Sequence, residues 1–300
     1  LTVFRDQEFS QDMGARATKR IEDVCLLQNS QWQEDNSPMA HPPRPNQFVE
    51  INNFYTPTIY EKGAEFIRML FNYIGEKSYR KGIDTYFYLY DGKAVTCENF
   101  IDALSKGAEI DLSIFSKWYS QAGTPNIEIK RERKNSKFLL NISQKINNEY
   151  SNLPIPIKMA FLDQGGHLVD FKINDSILDK EHVFLLCNSK ETIIIECEEE
   201  KITPSFLRSF SAPVYLKTDL QEIDYLHILK YDNDAFNKWD AAQNLYFEYF
   251  IKNKDVTKLT DLLKSLISSN SINNSLMSLL IELPSRASLE NLLDTVDPID

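Results

Sequence analysis

Metal and nucleophile chemistry needs particular side chains at particular intervals, and here the obvious candidates lie too far apart. The four histidines, His41, His167, His182 and His227, form neither an HxxxH nor an HExxH pattern, so no zinc site can be written from them. Cys25, Cys97, Cys187 and Cys197 contain no CxxC pair and read as inert thiols in a reducing compartment. Cys187 and Cys197 are the one pair that neighbouring strands of a secreted protein would bring together. The acidic run Glu196–Glu200, interrupted by Cys197, lacks the spaced oxygen ligands and turn glycine of a calcium loop and reads as a solvated strand end. No GxSxG, GxGxxG or phosphate-binding loop occurs. Tyr60, on a helix beginning near Pro57, reads by itself as a boundary residue with its hydroxyl at water.

The elements that must position any site fall into three stretches, because the hydrophobic period changes twice. Up to about Ala122 it is helical. Ala15, Ala17, Ile21, Val24, Cys25 and Leu27 form an amphipathic stripe with Ser10 as its N-cap. Asp35–Pro45 holds four prolines, which forbid a helix and fix an extended path. A second helix places Ile59, Phe66, Ile67, Leu70, Phe71 and Ile74 on its buried side and stops at Gly75. Tyr79–Tyr90, Cys97–Ser105 behind Thr96, and Leu112–Gln121 behind Asp111 are further helices.

From Asn126 to about Pro213 the period falls to two. Ile127/Ile129, Phe138/Leu140/Ile142, Ile155/Ile157/Met159, Leu168/Phe171, Val183/Leu185 and Ile193/Ile195 predict six or seven short strands, with Gln164-Gly165-Gly166 as the clearest hairpin turn. That pattern is a small β-sandwich. Helical spacing returns after Tyr215, in Ala235–Ile251, Thr257–Ser268, Ile272–Leu283 and Ser288–Val296, like the start of an α-solenoid.

Three hundred residues suit two or three domains, and 42% hydrophobic residues suffice to give each a core. A formal charge of −11 argues against binding nucleic acid or an anionic membrane, where affinity comes from clustered lysine and arginine. No apolar stretch approaches the roughly 20 residues that span a bilayer. The opening Leu1-Thr2-Val3-Phe4, without a methionine or polar lead-in, has the look of the inside of an element. The closing Asp297-Pro298-Ile299-Asp300 likewise does not look like the end of a domain. A slice of a longer protein is the expectation.

A resemblance supplies what spacing does not. Leu1–Phe9 (LTVFRDQEF), Ser37–Pro42 (SPMAHP), Asn52–Tyr55 (NNFY), Tyr60–Glu65 (YEKGAE), Val95–Cys97, Trp118–Pro125 (WYSQAGTP), Phe210–Val214 (FSAPV) and Trp239–Gln243 (WDAAQ) occur in one order over most of the chain. Together they resemble the bacterial aminopeptidase N family, zinc metallo-aminopeptidases of the HExxH…E type. Lys130–Lys201 matches mainly in pattern. The resemblance implies a multidomain α+β fold. Residues 1–123 would be the helical back half of a thermolysin-like catalytic domain, 124–214 a small all-β sandwich, and 215–300 the first helices of a C-terminal helical domain.

It also implies a chemistry. In such enzymes HExxH supplies two zinc-binding histidines and a glutamate base, and a later glutamate completes the site. That last ligand would fall two residues before Leu1, so zinc belongs to the longer enzyme and none is expected on this chain. Tyr60 is then the group that stabilises the transition state. A phenol keeps its proton at physiological pH and can donate a hydrogen bond to the oxyanion growing on the peptide carbonyl. Asn52 and Tyr55 match the stretch lining the pocket for the substrate's first side chain. Asp6, two helical turns beyond the missing glutamate, would orient a zinc-ligand histidine, a role open to Glu8 in another helix register. The implied function is release of N-terminal amino acids from peptides with a free N-terminus, by a cytoplasmic hydrolase of peptide catabolism. The alternative is a non-catalytic interaction module built from sandwich and helical repeat.

Overall fold

The computed structural model describes residues 1–300 apart from 135–136, 175, 253, 286–288 and 290–300. Its first third is helical: α1 (Thr2–Met13), α2 (Arg16–Leu26), α3 (Trp32–Asp35), α4 (Gly63–Ile74), α5 (Glu76–Tyr90), α6 (Cys97–Ala108) and α7 (Lys117–Ser120). From α2 into the residue that follows it, the spacing of Ile21, Val24 and Leu27 buries all three completely, as an i, i+3 stripe should. Ser10 is not its cap. It lies inside α1, and α2 starts at Arg16, where the preceding Ala15 offers no side-chain cap. The reason is Gly14, which ends α1 and turns the chain just before the apolar stripe begins.

Helix α4 is the centre of this part. Residues Ala64–Leu70 are buried in an unbroken run, so the helix is surrounded on all sides, and Gly75 ends it at φ +79°. The next two helices cross where both carry glycine: a Cβ on Gly107 would lie 2.2 Å from the Gly82 nitrogen. The stretch expected as one helix behind Asp111 is a 3₁₀ turn (Ser113–Ser116) followed by α7. Asp111 still accepts the Ser113 amide, at 2.8 Å.

The middle third folds into two sheets. Strands β1 (Asn126–Lys134), β2 (Lys137–Ile146), β3 (Glu149–Tyr150), β4 (Ile155–Leu162), β5 (Phe171–Ile173), β6 (Ser176–Leu178), β7 (Glu181–Leu186), β8 (Lys190–Glu196), β9 (Thr203–Phe206) and β10 (Tyr215–Thr218) exceed the six or seven expected. The larger sheet runs β10-β1-β2-β8-β5-β6 with β3 beside β2, and the smaller runs β7-β4-β9. Ile127, Ile129, Leu140, Ile142, Ile193 and Ile195 point inward from the first, and Ile155, Ile157, Met159 and Phe161 are buried on the second. The rings of Phe161 and Phe171 meet edge-on at 4.8 Å across the interior. The turn at Gln164-Gly165-Gly166 forms, but its far side returns for a single bridge, Leu162 to Leu168.

Helices α8 (Glu222–Tyr231), α9 (Ala235–Lys252), α10 (Thr257–Ser269) and α11 (Asn274–Ile281) follow. The α8 helix was not legible in the spacing. The helix expected over Ser288–Val296 lies outside the described residues. Two buried arginines fasten the three parts. Arg20 of α2 forms a bidentate pair with Glu65 of α4, at 2.6 and 2.7 Å, and also donates to the carbonyls of Ser209 and Phe210 at the sandwich exit. Opposite charge there outweighs burial and holds the Glu65 carboxyl below its usual range. Arg208 does the same work between sandwich and α8.

One carboxyl is poorly served. Asp240, on α9, faces a cleft lined by Trp32, Tyr215, Tyr225, Trp239 and Phe247, and Asn244 supplies its hydrogen bond at 3.1 Å. Burial pushes it up to about 6 from an ordinary value of 3.8. A carboxyl raised on folding binds its proton more tightly in the native state, so its penalty is nearly absent below about pH 4, grows between about 4 and 6, and is fully present above 6. Asp240→Asn keeps an acceptor for Asn244 and removes the charge. It is expected to stabilise the protein by about 2–3 kcal/mol near pH 7 and by a few tenths near pH 3.5. Urea midpoints at the two pH values check this, and an equal gain at both would contradict it.

Candidate active site

Tyr60 does not sit on an α-helix. Thr58–Lys62 is a single π-helical turn that runs straight into α4, and a second π-turn, Leu27–Gln31, joins α2 to α3. Such turns insert one residue into a helix and recur at functional sites. Here the two pack against each other. Gln31 closes the contact, its amide nitrogen donating to the Thr58 hydroxyl at 3.3 Å.

The Tyr60 turn is pinned at both ends to the adjacent acids that finish α3. At its start, the Thr58 amide and hydroxyl donate to Glu34 Oε2 at 3.0 and 2.6 Å. At its end, Lys62 Nζ donates to Asp35 Oδ2 at 2.8 Å and to the Gly123 carbonyl at 2.9 Å. Lys62 is 1% exposed, and burial pulls its ammonium below the ordinary lysine value while Asp35 opposes the shift. The Thr124 hydroxyl donates to the same Asp35 oxygen, at 2.8 Å.

Ahead of the turn, His41 holds the entering chain. Its Nδ1 contacts the Pro42 carbonyl at 2.9 Å, and a carbonyl only accepts, so Nδ1 carries the hydrogen. Nε2 lies 3.0 Å from the Thr56 hydroxyl, and the Thr56 oxygen accepts the Ile59 amide.

Between these anchors Tyr60 projects outward, 42% exposed, its ring stacked on Tyr55 with centroids 6.1 Å apart and planes 26° from parallel. Tyr55 is itself 67% exposed. It directly follows the 3₁₀ turn Ile51–Phe54, and the Asn52 carbonyl accepts its amide. The structure therefore brings Tyr55 and Tyr60 together and sets Asn52, exposed, on the turn before them. Asp6 is exposed on α1, and that helix reaches the Tyr60 turn through Gln7, whose amide donates to Glu61. Glu8, the other residue considered for Asp6's role, is taken by Arg16 and Arg68. An exposed phenol on a rigid turn can donate a hydrogen bond to an oxygen held in front of it.

Thr58, Glu34 and Asp35 had no role in the sequence reading, and Lys62 entered only as one letter of a motif. Their signal was two adjacent acids followed, some 25 residues on, by a lysine two places after the tyrosine, and only the fold shows that they meet.

Among the described residues, no three histidine, cysteine, aspartate or glutamate side chains gather to hold a metal ion. The described donors therefore do not by themselves make up a zinc site. No described helix is long and apolar enough to cross a membrane.

Residues 1–119 match the Peptidase family M1 domain. Residues 123–219 match a domain of unknown function (DUF3458) with an Ig-like fold, and 222–300 its C-terminal companion, described as ARM repeats. The chain is 34% identical to aminopeptidase N of Escherichia coli strain K12 over all of its length and 36% of that protein's. It is 41% identical to aminopeptidase N of Haemophilus influenzae over 84% of its length and 30% of the relative's. It thus spans about a third of the curated relatives it matches. The crystal structure of Legionella pneumophila aminopeptidase A in complex with aspartic acid superposes with a TM-score of 0.80 at 27% identity, covering 99% of this chain and 33% of that one. In sequence the chain resembles bacterial aminopeptidase N and in fold a bacterial aminopeptidase, with successive stretches that match the peptidase family M1 domain, an Ig-like domain and ARM repeats.

Proposed function

We propose that these 300 residues are part of a zinc-dependent aminopeptidase that releases N-terminal amino acids from peptides, and that Tyr60 donates the hydrogen bond that stabilises the oxyanion. The observation that carries the reading is Tyr60 itself, presented outward from a turn pinned at both ends, inside the stretch similar to the family M1 domain. Tyr55 and Asn52 would border the pocket for the substrate's first side chain, and the stacked Tyr55 ring gives that pocket an aromatic wall. Asp6 keeps its assignment of orienting a metal-ligand histidine, supported by the resemblance and its exposed place on α1. Zinc is assigned to the longer polypeptide, on donors outside these residues. Four free thiols fit a reducing compartment, which supports a cytoplasmic location.

The test is made on the longer polypeptide. It should cleave an aminoacyl-anilide and leave the N-acetylated form intact, with one zinc per chain by elemental analysis. The 300-residue chain alone should bind no stoichiometric zinc and cleave neither substrate. Equal cleavage of the acetylated compound would overturn the aminopeptidase reading. Activity from the 300 residues alone would overturn the assignment of zinc to donors outside them. A polypeptide inert with zinc bound would favour the interaction module.

A further inference from the structure

We infer that Lys62 is a positioning residue for Tyr60, its buried ammonium fixing the phenol's place and tying that place to the docking of the β-sandwich. The inference deepens the proposed function and rests on its reading of Tyr60.

A π-turn has one residue more than the α-helical register allows, and it stays where it is only if its surroundings hold it. Tyr60 is the middle residue of five. Thr58, two places before it, is held on Glu34, and Lys62, two places after, is held on Asp35. Because Glu34 and Asp35 are consecutive on α3, the two anchors share one rigid base. The turn cannot slide along the α4 axis without breaking one of them.

Lys62 differs from Thr58 in where it reaches. Its second bond goes to the Gly123 carbonyl, at the link into β1, and Asp35 also receives the Thr124 hydroxyl from that link. The ammonium thus joins three pieces: the turn bearing Tyr60, the end of α3, and the first residues before the sandwich. A lysine kept there for stability alone is poorly explained, since a buried ion pair is often no better than well-packed apolar residues. Placement of the phenol is what a hydrophobic substitute would forfeit. Displacing a catalytic group by about 1 Å can cost on the order of 10² in rate.

Changing Lys62 alone would strand the fully buried Asp35 charge, so the test uses the neutral pair Lys62→Met with Asp35→Asn, which preserves an acceptor for Thr124. The first readout is 3-fluorotyrosine placed at position 60 in this chain and followed by ¹⁹F NMR. The double change should shift or broaden the resonance while thermal unfolding remains cooperative. An unmoved resonance overturns the assignment of Lys62, whatever Tyr60 does in catalysis. The second readout is anilide hydrolysis by the longer polypeptide. There the double change should lower kcat at least about tenfold with KM within about twofold. In a Tyr60→Phe background it should lower kcat less than twofold further. Equal losses in both backgrounds would overturn a role through Tyr60. A Tyr60→Phe variant with unchanged kcat would instead overturn the reading of Tyr60, and the NMR result would still decide what Lys62 holds.

Discussion

Replacing Tyr60 by phenylalanine in the longer polypeptide is expected to lower kcat for aminoacyl-anilide hydrolysis by about 10²–10³ and to leave KM within a few-fold. The magnitude is that of one lost donor to an oxyanion. The split follows from when the bond is made. A ground-state carbonyl asks little of the phenol, whereas the tetrahedral oxyanion presents a full acceptor, so the lost energy belongs to the transition state. The structure adds a reason to expect a clean result. The ring is held by stacking on Tyr55 and by the pinned turn beneath it, and among the described residues none takes the hydroxyl in a hydrogen bond. Phenylalanine therefore keeps the packing, and the stability change should stay within about 0.5 kcal/mol. A variant raising KM with kcat intact would mean that Tyr60 binds substrate and does not act on the oxyanion. A variant unfolding several degrees earlier would mean the hydroxyl has a structural partner.

What the sequence made legible divides along the range of the forces involved. Helices α2, α4 and α6 were visible because their buried residues recur at helical intervals, and period is a local property. Helix α8 was not, since it buries only Ile228 and Leu229 and leaves Ile223 exposed. Lys238, from α9, closes its end by donating to the Leu229 and Lys230 carbonyls. Strand β10 was missed for a related reason. It pairs in parallel with β1, some 90 residues earlier, and four residues alternating this weakly announce nothing until the partner is known. The candidate site shows the same limit. Tyr60, Tyr55, Asn52 and Asp6 were singled out by resemblance, not spacing. The anchors that present Tyr60 are contacts across 24 to 89 positions that no local pattern encodes. Even the π-turn is silent in the sequence, because one extra residue changes a helix's register without changing its composition.

The largest stability effect is expected from a residue that no pattern marked. Arg208 leaves strand β9 inside a turn where Leu207, Ser209 and Phe210 all take left-handed backbone, at φ +53°, +55° and +53°. Each such residue costs about 1 kcal/mol or more, so the turn persists only because its neighbours hold it. Arg208 is the main holder on the α8 side. Its guanidinium, 2% exposed, donates to Asp232 at 2.8 Å, Glu181 at 2.6 Å, Ser205 at 2.9 Å and Asn233. The Asp232 carboxylate is fully buried, and it also accepts the Asp234 amide that starts α9. Arg208→Met fills much of the volume but strands that charge, and it should cost about 3–5 kcal/mol. The loss should be uneven. With the pair gone, the grip of the sandwich on α8 and α9 weakens first, so circular dichroism of the helices and tryptophan fluorescence should cease to report one urea transition. The companion change Asp232→Asn removes the stranded charge and keeps an acceptor for Asp234. The double variant should therefore recover at least half of the lost stability. If it stays as unstable as Arg208→Met alone, the guanidinium stabilises the strained turn through Ser205 and Glu181, and charge pairing with Asp232 is not the cause.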